Sequence, residues 1–184
     1  MLTSRFDEAF AYASRIHRGQ LRKGTNTPYI SHLLGTAAIA LENGADENQA
    51  IAALLHDAVE DQGGAARLVD IRARFGEHVA EIVDHCTDTD IEPKPPWRAR
   101  KETYITSLAH KPGSSLMVSL ADKTHNAGAI VADLAVHGDA LWHRFTGGRD
   151  GSLWYYRALV TAFRARIGGA GTERFAALVA QMNG

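Results

Sequence analysis

The sequence has 184 residues, of which 45% are apolar and 22% charged, the composition of an ordinary globular domain with one hydrophobic core. A formal net charge of −1 argues against a general nucleic-acid binder, which would carry a strong basic excess. The single cysteine excludes an internal disulfide and a multi-cysteine zinc site. No apolar run could span a bilayer and no signal-peptide core is present. We therefore expect a cytoplasmic protein that binds neither nucleic acid nor a membrane.

Apolar residues recur at intervals of three and four along nearly the whole chain, which is the spacing of amphipathic helices. After a first helix and a polar loop, Ser31 can cap a helix over 32–43. Asp46 and Gln49 then form the pattern of a capping box, which predicts a helix over 47–61.

The remaining elements follow from the same periodicity and from clusters of glycine and proline. No segment has the alternation of a strand, and there is no internal repeat. We therefore predict an all-α, single-domain helical bundle over residues 1–184. Besides those given above, helices are predicted over 6–17, 66–74, 77–86, 97–110, 114–136, 152–167 and 172–182, with loops over 18–31, 88–97 and 147–152.

The run LLHDAVED, residues 54–61, concentrates ionisable groups beside apolar ones. In a helix, His56 lies one turn from Glu60, and Asp57 lies one turn from Asp61. Burying three carboxylates beside an imidazole would be costly, and a divalent cation would offset their charge. The alternative is a solvated acidic helix face, which the run alone does not exclude.

Two further residues favour the metal. His32 opens the preceding predicted helix, and Asp122 lies in the long helix predicted over 114–136. An H…HD…D set spread over three helices resembles the HD phosphohydrolase superfamily. AYASRIHRGQLRKGTNTPYISH, FGEHVAEIVDHCTD and ADKTHN resemble successive blocks in the hydrolase domain of the RelA/SpoT family, covering residues 9–130. Without a synthetase or regulatory domain, the chain is similar to the small alarmone hydrolases.

This resemblance implies an HD-type helical bundle that hydrolyses the 3′-pyrophosphate of (p)ppGpp to GTP or GDP and pyrophosphate. It also implies one divalent metal ion, manganese. The ligand types alone also suit iron, magnesium or zinc. Matched position by position, the metal ligands are His32, His56, Asp57 and Asp122, the residues near the attacking water are Glu60 and Asp61, and the nucleotide contacts are Arg22, Lys23 and Asn126.

Two later segments offer further nucleotide contacts. In 96–104, Lys101 and Tyr104 could line a phosphate or base subsite, or belong to a solvated helix face. In 148–157, Arg149 and Tyr155 could contribute to the pocket, although aromatic residues of a terminal helix also form cores. For His125, both a contact with a metal ligand and a purely structural role stay open. The closing helix could contribute to the core or to a homo-oligomer contact.

The chain departs from the family pattern after Asn126, where Gly128 replaces a frequent arginine. This departure leaves open a second function, the hydrolysis of another nucleotide phosphate such as that of NADPH or of a nucleoside monophosphate. A third hypothesis is a non-catalytic nucleotide sensor. The retained Glu60–Asp61 pair speaks against it, because a sensor has no need of a carboxylate that activates water.

Overall fold

The computed structural model describes residues 1–88, 93 and 95–182. Among these residues there is no strand, and Leu21 and Pro28 form an isolated bridge within the first loop. The predicted all-α class is thereby confirmed. The helices are α1 (Ser4–Ile16), α2 (Ile30–Glu42), α3 (Glu47–Leu55), α4 (Ala58–Gln62), α5 (Gly64–Phe75), α6 (Glu77–Cys86), α7 (Trp97–Ser107), α8 (Gly113–His137), α9 (Gly148–Arg166) and α10 (Gly169–Gln181), with a 3₁₀ helix over Gly138–Arg144 between α8 and α9.

The two predicted helix starts have different outcomes. The capping box of α3 is confirmed, because Asp46 Oδ1 accepts the Gln49 N–H at 2.9 Å and Gln49 Oε1 accepts the Asp46 N–H at 2.7 Å. The prediction for Ser31 is wrong. Helix α2 begins at Ile30, and its cap residue Tyr29 makes no side-chain capping bond, so Ser31 lies inside the helix.

The helix predicted over 47–61 is interrupted at the pair on which the metal hypothesis depends. Helix α3 ends at Leu55, α4 begins at Ala58, and His56 and Asp57 form the turn between them. Asp57 has φ −95° and ψ −2°, which lies toward the bridge region of backbone space. Both side chains of this turn contact His32 of α2, and His56 also contacts Asp122 of α8, so the interruption serves the site.

The glycine-rich stretch predicted as a loop over 147–152 belongs almost entirely to α9. Its glycines allow close packing. A Cβ on Gly147 would lie 2.6 Å from Cη2 of Trp97, and a Cβ on Gly151 would lie 3.2 Å from its Cζ3. Glycine is used here because the Trp97 indole of α7 leaves no room for a side chain. Much of the loop predicted over 88–97 lies outside the described residues.

Helix α8 lies between two hydrophobic clusters and contributes to both. Val118 and Ala121 belong to the first cluster, which joins α8 to α1–α6. Leu116, Leu120 and Ala127 belong to the second, which joins α8 to α7, α9, α10 and the 3₁₀ helix. Asp122 lies on α8 among these cluster residues and is buried. Helices of both clusters can therefore reach it.

Candidate metal centre and cleft

Four side chains from α2, the α3–α4 turn and α8 converge at one point. His32 Nε2 lies 3.3 Å from His56 Nε2, 3.3 Å from Asp57 Oδ2 and 3.2 Å from Asp122 Oδ1. His56 Nε2 lies 3.1 Å from Asp57 Oδ2 and 3.5 Å from Asp122 Oδ1. Donor atoms at these separations can share one divalent cation with bonds of about 2.0–2.2 Å. The structure thus brings together the four predicted ligands.

The neighbouring groups orient these donors. His56 Nδ1 lies 2.9 Å from the Ala53 carbonyl oxygen, so its proton is on Nδ1 and Nε2 is left to face the cluster. The Tyr29 hydroxyl donates to Asp57 Oδ2 at 2.6 Å. His32 Nδ1 lies 2.9 Å from Nδ1 of His125. Each of these contacts holds one predicted metal ligand in place before any cation binds.

Asp122 is held by two donors on its own helix. Lys123 Nζ donates to Oδ2 at 2.6 Å, and Asn126 Nδ2 donates to Oδ1 at 2.6 Å. Asn126 in turn accepts from Arg22 of the first loop at 2.9 Å. A hydrogen-bonded chain therefore links the centre to the loop that carries the predicted nucleotide contacts.

The electrostatics of the four donors fit a bound cation. Burial disfavours the charged form of His56, but Asp57 and Asp122 outweigh it and raise the His56 pKa well above its usual value. Burial likewise opposes ionisation of Asp122, but Lys123 and His56 lower its pKa well below the usual range. The carboxylates are thus ionised, and a proton on His56 supplies positive charge that a divalent cation can supply instead.

The centre opens into a cleft of about 710 Å³. The first loop and the α3–α4 turn form one wall, and α7, α8, α9 and the 3₁₀ helix form the rest. Asp88 anchors two cations of α7, since its Oδ2 accepts from Lys101 at 2.9 Å and also from Arg100. Asp88 Oδ1 and the Tyr155 hydroxyl are buried in this wall without a hydrogen-bond partner among the described residues.

The predicted substrate and catalytic residues divide between this cleft and its surroundings. Six of them line it: Arg22, Lys23, Glu60, Lys101, Asn126 and Tyr155. Asp61, Tyr104 and Arg149 do not belong to the lining.

Each residue outside the cleft has a different surrounding. Asp61 is exposed and accepts a hydrogen bond from Gln20 at 2.7 Å. Tyr104 is buried in the second hydrophobic cluster beneath the ammonium of Lys123, whose Nζ lies 5.1 Å from the ring centroid. Arg149 is exposed on α9, 4.0 Å from Asp139. Tyr104 and Arg149 thus lie outside the cleft lining, and their contacts with a nucleotide stay predictions.

Several cleft residues were not predicted from the sequence. Tyr29, Asp88 and Arg100 each touch a predicted site residue or one of its partners. Arg100 lies in the segment 96–104 but was not selected there, and Tyr29 and Asp88 stand in no pattern that implies chemistry. From the sequence, Lys123 could pair with Glu60 or Asp61 or form a plain salt bridge on its own helix face, and in the structure it pairs with Asp122. Its position next to Asp122 in ADKTHN was the available signal.

The departure at Gly128 lies away from the cleft. Gly128 lines a separate groove of about 450 Å³ between α2, α8 and α10, and a Cβ there would meet nothing within 4 Å. The cleft lining described above does not include it.

The chain belongs to the HD domain family, whose model matches residues 9–153. It is 38% identical over 122 residues to the guanosine-3′,5′-bis(diphosphate) 3′-pyrophosphohydrolase MESH1 of Xenopus tropicalis, which is 65% of this chain and 65% of that protein. With the Drosophila melanogaster MESH1 it shares 33% identity over 143 residues, 76% of this chain and 75% of the relative. These matches confirm the resemblance to the RelA/SpoT family.

Longer relatives match over one part only. The bifunctional (p)ppGpp synthase/hydrolase SpoT of Escherichia coli is 33% identical over 128 residues, which is 66% of this chain but 17% of that protein. Among solved structures, a metazoan orthologue of SpoT that hydrolyses ppGpp superposes with a TM-score of 0.79 and 28% identity, covering 98% of this chain and 97% of that one. The protein lmo0812 of Listeria monocytogenes superposes with a TM-score of 0.71 and 29% identity, covering 80% of this chain and 96% of that one.

None of the helices over residues 1–88 and 95–182 combines the length and apolar character required to traverse a bilayer.

Proposed function

We propose that this protein is a metal-dependent phosphohydrolase that removes the 3′-pyrophosphate of (p)ppGpp, giving GDP or GTP and pyrophosphate. One observation carries the proposal: two imidazole nitrogens lie within 3.5 Å of each other and of two carboxylates, at the inner end of a cleft that is also lined by arginine and lysine side chains. The fly and frog relatives, whose names state this activity, match 76% and 65% of this chain.

The cation would be held by His32, His56, Asp57 and Asp122, and we propose Mn²⁺ because the resemblance to the RelA/SpoT family implies it, since the ligand types alone also suit other divalent metals. When bound, the cation makes water more acidic and polarises a phosphate oxygen. Tyr29 keeps the Asp57 carboxylate in place through its 2.6 Å hydrogen bond. Lys123 and Asn126 do the same for Asp122.

Glu60 is the proposed general base. Water attacks the phosphorus bonded to the ribose 3′ oxygen, that P–O bond breaks, and the 3′ oxygen takes up a proton as pyrophosphate forms. Glu60 lines the cleft one turn from His56 and can accept the proton that the water loses. We assign Asp61 to holding the first loop, because its carboxylate accepts from Gln20 of that loop.

The cations of the cleft would bind the phosphates. Arg22 and Lys23 lie on the first-loop wall, and Arg100 and Lys101 lie on the α7 wall. Arg22 lies 6.0 Å from the Tyr29 ring centroid while it donates to Asn126. Because charge-assisted hydrogen bonds to phosphate are strong and directional, cations on two walls suit a substrate with phosphates at two positions, such as the 3′ and 5′ positions of ppGpp.

The test is to incubate the metal-free protein with ppGpp, with and without Mn²⁺, and to quantify GDP and pyrophosphate. We expect turnover only with the metal, and we expect His56→Ala to abolish it. A metal-loaded protein that binds Mn²⁺ but leaves ppGpp intact would refute the substrate assignment.

The same assay separates the alternative substrates. NADPH and a nucleoside 5′-monophosphate are run in parallel with ppGpp. We expect ppGpp to be preferred, since arginine and lysine side chains line two walls of the cleft even with glycine at position 128. A higher kcat/KM for either competitor would favour the second function.

A further inference from the structure

His125 contacts the metal centre from behind one of its donors. His32 faces the other three donor atoms with Nε2, and a nitrogen that binds a cation carries no proton. The His32 proton must therefore be on Nδ1, which lies 2.9 Å from His125 Nδ1. His125 Nδ1 then accepts this hydrogen bond, and the proton of His125 is on Nε2. The contact sets the tautomers of both rings.

The His125 ring fits against α2 because residue 35 is glycine. A Cβ on Gly35 would lie 2.1 Å from Cδ2 and 2.3 Å from Nε2 of His125. Gly35 is not among the glycines with positive φ, so its backbone conformation does not require glycine. Inside a helix, glycine is less stable than alanine. Glycine at position 35 is therefore explained by the space that the His125 imidazole needs.

We propose that Gly35 and His125 form a positioning pair that fixes the orientation and tautomer of His32 and thereby strengthens binding of the divalent cation. Neither residue is a ligand of the cation, and although His125 also lines the cleft, the proposal concerns only its contact with His32. It acts through His32 in the way that hydrogen-bonding partners of other metal-bound histidines do. The proposal rests on the metal site of the proposed function but not on its substrate.

Calorimetric titration of the metal-free protein with Mn²⁺ tests the pair without reference to turnover. For His125→Ala we expect affinity to fall roughly ten- to a hundredfold, the usual effect of removing such a partner. His137→Ala, which removes an exposed histidine from the same helix, is the matched control and should bind as the wild type does. Equal affinity in His125→Ala and the wild type would overturn the proposal.

Two amide variants distinguish hydrogen bonding from the filling of space. The Oδ1 atom of asparagine occupies the place of Nδ1, so His125→Asn should restore most of the affinity. Glutamine places its polar atoms at the distance of Nε2, so His125→Gln should bind as weakly as His125→Ala. If asparagine and glutamine were equally weak, or if glutamine were the better replacement, the ring would have only a packing role.

A double-mutant cycle tests Gly35. Gly35→Ala should preserve the helix content measured by circular dichroism yet weaken Mn²⁺ binding, because its Cβ displaces the His125 ring. In the His125→Ala background the same substitution should have no further effect. Additive losses would refute the coupling. Failure of the wild type to bind Mn²⁺ would refute the metal site as well, whereas loss of coupling alone leaves the proposed hydrolase activity untouched.

Discussion

At the scale of single residues, the adjacent carboxylates of Glu60 and Asp61 have different surroundings. Glu60 lines the cleft, while Asp61 is exposed and hydrogen-bonded to Gln20. We expect Glu60→Gln to lower kcat about a hundredfold or more, because the amide cannot accept a proton from water, while Mn²⁺ affinity stays unchanged. Asp61→Asn should have a smaller effect that appears mainly in KM. Steady-state kinetics with ppGpp rank the two variants, and a larger loss of kcat in Asp61→Asn would reverse the assignment.

The α7 wall of the cleft supports a second prediction at this scale. Lys101 lines the cleft and is fixed by Asp88, whereas Arg149 is exposed on α9 outside the lining. Lys101→Ala should raise KM for ppGpp about tenfold or more, because a charge-assisted hydrogen bond contributes about 1.5–3 kcal/mol. Arg149→Ala removes a cation without touching the cleft and is the control. Equal KM values for the two variants would argue against a phosphate contact at Lys101.

The sequence identified site residues where they stand in a motif, and it missed those recruited by tertiary contact. His32, His56, Asp57 and Asp122 could be selected because their residue types and order match a pattern. Tyr29 and Asp88 could not, because a tyrosine and an aspartate become partners of the site only when distant helices meet. Tyr104 and Arg149 were selected by local composition, which does not show which helix face borders a cleft, and neither belongs to the cleft lining.

At the scale of helices, the start of α3 is defined by local chemistry and can be tested alone. Asp46 accepts the Gln49 N–H and Gln49 accepts the Asp46 N–H. Asp46→Ala removes the capping acceptor and should lower the free energy of unfolding by about 1 kcal/mol. Urea unfolding measures the loss, and calorimetry should show unchanged Mn²⁺ affinity, because the cap lies at the far end of α3 from His56. If Asp46→Ala strongly weakened Mn²⁺ binding, the cap would also position the α3–α4 turn.

Most helices could be predicted because their apolar spacing and caps are local, and the exceptions have tertiary causes. Nothing in the periodicity of 47–61 marks the turn at His56–Asp57, whose donors are directed by contacts with α2 and α8. Likewise, glycines at 147–152 suggest a loop by composition. Their actual function is to let α9 approach the indole of Trp97, which is known only once α7 is in place.

At the scale of the whole molecule, burial of Lys111 just before α8 makes stability depend on pH. Lys111 is 8% exposed, and its Nζ lies 4.1 Å from the ring centroid of Tyr104. Burial lowers its pKa from 10.5 to about 8. Between these values the unfolded chain holds the proton and the folded chain does not, so the free energy of unfolding rises with pH across this window.

Lys111→Met removes the cost of burying this charge and should be more stable than the wild type near pH 7, by on the order of 1–3 kcal/mol once the lost contact with Tyr104 is discounted. The advantage should shrink as the pH rises above about 8, because the wild-type amine then becomes neutral. Urea unfolding of both proteins from pH 7 to 10 measures the difference between their free energies of unfolding. The other titratable groups are present in both proteins, so their contributions cancel in this difference. Lys23→Met, which removes an exposed lysine, should show no such convergence. Parallel curves for Lys111→Met and the wild type would mean that the buried amine keeps its proton by other contacts.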